Sequence, residues 1–290
     1  MMQARRTNHG AIWKLALGLI GAASLLLAQG QGARQGQAAP PAKPAAAPPA
    51  QPVNVAKQPS VKSQKEAQGL VAALNAQDPD SRIKAGVAFT TDFPESEFKG
   101  TVLYLIGASY LEKNDIENGV TYLERCVQAD SQNFQAMIML ARSIAMRTRE
   151  TDLDREEKLT AAEKYANQAT ELLKTALKPN ANLPDEQWEA AKKDMNSQAY
   201  EALGVAAFVR GKNDEAIAQL KKSIDTAAVP DPSTMVRLAN VYSKAGKLDD
   251  GIAVIDKALA IPGLDARVKV IAQAQKDDLV KKKGGGQAKP

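Results

Sequence analysis

From Val61 to about Lys283, apolar residues recur every three or four positions, the period of an amphipathic helix, and no alternating strand pattern competes. A longer period lies over this one. Leu103, Ile106, Gly107 and Tyr110 are followed by Gly119, Leu123 and Cys126, and 34 residues after Gly107 the first half returns as Met137, Leu140, Ala141 and Ile144. Tyr200, Leu203 and Gly204 lead to Ala216, Leu220 and Ser223. Then Met235, Leu238, Ala239 and Tyr242, with Ala239 35 residues after Gly204, lead to Gly251, Ile255 and Ala258.

This spacing predicts paired helices, A then B. A small residue at Gly107, Ala141, Gly204 and Ala239 lets helix A lie close to helix B, and Gly119, Ala216 and Gly251 do the same from helix B. The larger apolar residues fill the seam to the next pair. No pair buries both its faces alone, so several must stack. The turns agree. Asn114, Gly211 and Gly246 fall between paired helices and suit the left-handed cap, while Asp214 and Asp249 suit the start of a helix B.

With these residues the chain resembles the tetratricopeptide repeat family, whose period is about 34 residues. The resemblance implies an all-α, right-handed helical solenoid over 61–283. Its parts would be a helix pair at 61–95, repeats at about 100–133, 134–178, 185–230 and 232–264, and a capping helix at 265–283. Ala141 and Gly204 are 63 residues apart, 29 more than one period. Part of the excess is a charged insertion, Arg147 to Lys158, between helices A and B of the second repeat, with that helix B ending near Lys178-Pro179. The rest is a longer third helix A starting near Pro184-Asp185. Pro94 and Ser96, closing the first pair (Lys62 to Asn75, Ser81 to Thr91), resemble the same point in bacterial exported repeat proteins.

The family lines its concave face with A-helix residues, which here implies a partner groove. Its candidates are Tyr104 and Leu111, then Gln135, Ile138, Arg142 and Met146. Gln198, Glu201 and Phe208 follow in the third repeat, and Asn240 and Lys244 in the fourth. Such a lining suits an extended peptide or a partner helix. Leu111 equally fits packing between repeats. Tyr104 and Ala108 stand where the family's chaperone-tail clamp has Lys and Asn, so that specificity is not expected.

The N-terminus reads as an export signal over 1–30. Arg5 and Arg6 precede an apolar run from Leu15 to Ala28, followed by small residues that permit cleavage after Ala28, Gly30 or Ala33. The alternative is an uncleaved inner-membrane anchor, although Ala11 to Ala28, broken by Lys14, is short for a span of about 20 residues. Residues 31–60 are rich in Pro, Ala and Gln and read as a disordered spacer, as 284–290 read as a disordered tail. The expected location is the bacterial periplasm.

Charge and chemistry narrow the function. The net charge is +5, but Arg5, Arg6 and Lys14 belong to the signal, leaving 35 basic against 33 acidic residues and no nucleic-acid footprint. Only 4% of residues are aromatic, consistent with Ala- and Leu-packed helices. His9, the one histidine, lies in the signal, so a mature chain has no imidazole for a Ser-His-Asp, Cys-His or Cys-His zinc site. No phosphate-cradling glycine motif occurs, and no cofactor is expected. Asp152-Leu153-Asp154 and Asp249-Asp250-Gly251 lack a calcium loop and read as helix-start or solvated acids. Cys126, the one cysteine, sits at a small-residue position and reads as buried packing. The expected function is non-catalytic protein–protein interaction in the cell envelope. The alternatives are a hydrolase using paired carboxylates and a self-assembling structural protein.

Overall fold

The computed structural model describes residues 59–179 and 182–285; the expected export signal, most of the expected spacer, residues 180–181 and residues 286–290 lie outside them. The described residues form helices without strands. They are α1 (Gln64–Asn75), α2 (Pro79–Asp92), α3 (Lys99–Glu112), α4 (Ile116–Ala129), α5 (Phe134–Arg147), α6 (Arg155–Thr175), α7 (Asp185–Val209), α8 (Asn213–Thr226), α9 (Pro232–Lys244), α10 (Leu248–Leu259) and α11 (Ala266–Gly285). None is long and apolar enough to cross a membrane.

Local chemistry sets the ends. Ser63, Asp78, Asp115, Asn133 and Asp231 each accept a hydrogen bond from a backbone N–H in the first turn of the helix that follows. Each such cap stabilises by about 1 kcal/mol. Asp78 with Pro79 behind it starts α2 two residues before the Ser81 expected from periodicity. Asn114, Gly211 and Gly246 have φ of 61°, 78° and 72°. After each, the next amide N–H returns to a carbonyl in the last turn of helix A: Asp115 to Tyr110 at 2.9 Å, Lys212 to Ala207 at 3.0 Å, Lys247 to Tyr242 at 2.9 Å. The same turn thus closes the first, third and fourth repeats.

The helices pair as α1/α2, α3/α4, α5/α6, α7/α8 and α9/α10, and each second helix packs on the first helix of the next pair, with α11 closing the stack on α10 and α9. This is the right-handed helical solenoid. The seams depend on missing side chains. A Cβ on Gly107 would lie 2.7 Å from Leu123 Cγ, and one on Gly204 2.7 Å from Leu220 Cγ. At the centre, Ala166 and Ala169 of α6 meet Ala199 and Ala202 of α7 beside Met137, Ile138 and Ala141 of α5.

The irregular centre differs from the sequence expectation. The nonhelical insertion is only 148–154, because Arg155 to Lys158 form the first turn of a 21-residue α6. Glu156 and Glu157 favour the positive end of that helix. α6 stops at Thr175, before the Lys178-Pro179 expected, and α7 runs for 25 residues. At the other end α11 continues through Gly284 and Gly285, into what the sequence assigns to a tail.

Candidate functional site

The A-helices α3, α5, α7 and α9 carry the expected groove residues, and the structure separates them into two kinds. Four are packing. Leu111 is half-buried over Gly119, where a Cβ would collide with Leu111 Cδ2, so it joins α3 to α4. Ile138 is 2% exposed, inside the α5–α6–α7 core. Phe208 packs against the Ala207, Leu220 and Leu238 cluster that joins α7, α8 and α9. Tyr104 is half-buried beside Leu103, Leu123 and Cys126, and burial raises its phenol above the usual value. Ile138 is thereby closed to a partner, a correction to the groove, because it fills the core between repeats; Leu111, Phe208 and Tyr104 are half-buried and pack on neighbouring helices.

The other kind forms a polar cluster across three helices. Glu201 on α7 is 2% exposed, yet it is a carboxylate. Arg142 of α5 donates to it from Nε at 3.1 Å and to Gln198 Oε1 from Nη1 at 3.0 Å. From the opposite side, Thr234 of α9 donates its hydroxyl to Glu201 Oε1 at 3.0 Å, and Arg237 Nη1 stands 3.7 Å from the same oxygen. Arg237 Nη2 also reaches Met146 Sδ of α5, at 3.7 Å. One buried carboxylate therefore holds guanidiniums from two A-helices on either side of its own. The side chains of Arg142 and Arg237 remain 33% and 38% exposed. A buried charge left alone would cost several kcal/mol, so these partners are what allow an acid here. The cluster carries one surplus positive charge facing solvent. Gln135 is half-buried on α5, while Asn240 and Lys244 are exposed on α9.

Arg237 and Thr234 lie outside the positions that the family resemblance assigns to the groove. A signal for them was present. Glu201 occupies the register position, three before the small residue of helix A, that Tyr104, Ile138 and Val236 fill in the other repeats. An acid at a buried position requires hydrogen-bond donors or a cation from neighbouring elements.

Several other acids serve the fold. Glu66 on α1 is buried; the Ser96 hydroxyl and the Lys62 backbone N–H, which donates at 2.6 Å, hold its carboxyl below the usual range. That is the reverse of what a general acid needs. Asp152 and Asp154 pair with Lys158, and Asp249 with Lys283. Cys126 is fully buried, donates to the Gly100 carbonyl at 3.2 Å, and has its thiol pushed up to about 12 by burial.

Residues 100–133, which span α3 and α4, match the tetratricopeptide repeat family model. No curated protein matches the sequence significantly. Similar solved structures include a thermophilic tetratricopeptide repeat protein of Thermus thermophilus, at 17% identity and TM-score 0.45 over 73% of this chain and 95% of that one. Another is the assembly chaperone of RpL4 (residues 1–338), at 15% identity and TM-score 0.39 over 77% and 99%. A tetratricopeptide repeat protein of Parabacteroides merdae has 11% identity and TM-score 0.25 over 73% and 99%.

Proposed function

We propose that this chain is a non-catalytic docking protein, exported to the bacterial cell envelope, whose A-helix face holds a segment of a protein partner. The observation that carries the reading is the Arg142–Glu201–Arg237 cluster. Burying a carboxylate to position two part-exposed guanidiniums contributes little to stability beyond what apolar packing would give. It does create a rigid cationic point in a face otherwise lined by Met146, Gln135 and Asn240. The guanidinium fork matches a carboxylate, so an acidic side chain or a chain terminus of the partner would sit there. The envelope location rests on the Arg5-Arg6 and Leu15–Ala28 pattern.

Affinity capture from envelope fractions tests this. Wild type is compared with Arg142→Glu and Arg237→Glu, which reverse the cationic point from two helices. Both should lose the same captured protein, and an identical capture by all three would remove the groove from consideration. Phe208→Ala is unsuitable as a probe, because Phe208 holds the α7–α8–α9 core.

A further inference from the structure

The second repeat breaks the turn rule of the others, and a second surface results. Where the first, third and fourth repeats join helices A and B through a left-handed residue, residues 148–154 intervene and α6 is lengthened. Between α4, the end of α5 and the start of α6 a cleft of roughly 510 Å³ opens, within the range of about 300–1,000 Å³ that accommodates a few side chains. Its floor is apolar and half-buried: Ile116, Val120, Ile144 and Ala161. Beside it, the insertion presents Leu153 with its surface entirely exposed, directly before the rim residue Asp154. A leucine held fully in water within the insertion adds no buried apolar surface to this fold.

The rim is acidic on balance, with four carboxylates against two cations. Glu117, Glu124, Asp154 and Glu157 line it. Of the two cations, Lys158 pairs with Asp154 at 2.8 Å and Arg147 donates to the neutral Asn114 side chain at 2.9 Å, which leaves Glu117, Glu124 and Glu157 against one uncompensated guanidinium. Glu117 and Glu157 occupy first turns, where the helix dipole favours acids. Glu124 lies in the middle of α4, where no such local reason applies, and it pairs with no cation among the described residues. We infer that this cleft is a second docking surface, independent of the A-helix groove, for a partner segment presenting an apolar anchor flanked by lysine or arginine. The apolar floor and Leu153 would take the anchor, and the unpaired carboxylates the flanking cations.

The test is binding of a short fluorescent helix-forming peptide of Leu and Lys, against its Leu and Glu counterpart, to the full chain. Glu124→Lys/Glu157→Lys should weaken the Leu/Lys peptide about tenfold, a difference of about 1.4 kcal/mol. Leu153→Asp should weaken it as well. One control should leave binding within about twofold: Glu171→Lys/Glu189→Lys, which makes the same net-charge change at exposed sites on α6 and α7. Equal loss in the charge-matched control, no loss in the cleft variants, or no preference for the Leu/Lys peptide would overturn the inference. So would a wild-type protein whose mass in solution doubles with concentration and returns to monomer in Leu153→Asp, because the cleft would then hold a second copy.

Discussion

Gly204 has no side chain at the point where α7 meets Leu220, and the consequence can be measured. A Cβ there would lie 2.7 Å from Leu220 Cγ and 3.2 Å from its backbone nitrogen. Gly204→Val should lower unfolding stability by about 2–3 kcal/mol in denaturant titration, overpacking outweighing the gain in helix propensity. Cys126 gives a chemical readout. With full burial and a thiol pushed up to about 12, it should stay inert to a disulfide reagent at about pH 8 and react only on unfolding. Native reactivity would contradict the burial. Glu66 gives a pH readout. Its folded pKa is depressed, so its contribution is fully present above the unfolded value near 4.5 and is lost as pH falls through the lowered folded value. Glu66→Gln should therefore lose less stability than wild type over that acid range, as followed by circular dichroism.

Among elements, the A-helices α5, α7 and α9 are joined by charge as well as packing. Arg142→Met leaves Glu201 buried with only Thr234 and the more distant Arg237, and should destabilise by about 2 kcal/mol. Adding Glu201→Leu should recover most of that loss, since replacing the whole buried arrangement is cheaper than orphaning half of it. If the two losses simply add, the cluster is not coupled. This is also where sequence reading reached its limit. Helix pairing and the three left-handed turns were legible, because Gly107, Gly204, Gly211 and Gly246 each answer a local steric demand. The start of α6 was not, since Arg155-Glu156-Glu157-Lys158 has the composition of a solvated loop and becomes helical only through the Leu159, Ala162 and Ala166 face that follows. The spatial grouping of the candidate residues was legible in part. Arg142, Gln198 and Glu201 come together in space, whereas Ile138, Phe208 and Leu111 turn into seams. Which residue of an A-helix faces the groove depends on the tilt between repeats, a property of the stack and not of any one repeat. Arg237 lies off the expected groove positions, and the one local pointer to it was the acid Glu201 at its register position.

Over the whole molecule, the irregular second repeat separates two faces of different character. The A-helix face carries surplus positive charge at its centre, and the α4–α6 side carries an acidic cleft beside an exposed leucine. A stack with opposite charge on two faces suits a protein that holds two different partner segments, and closely packed helix pairs keep those surfaces in fixed relation. The central proposal, occupancy of the A-helix groove, is tested most directly by photo-crosslinking in intact cells. The crosslinker would be placed at Asn240 in the groove and at Gln168 on the exposed surface of α6. A discrete adduct from Asn240, absent in the Arg142→Glu background and absent from Gln168, is the expected result. No adduct from Asn240, or one indifferent to Arg142→Glu, would contradict it.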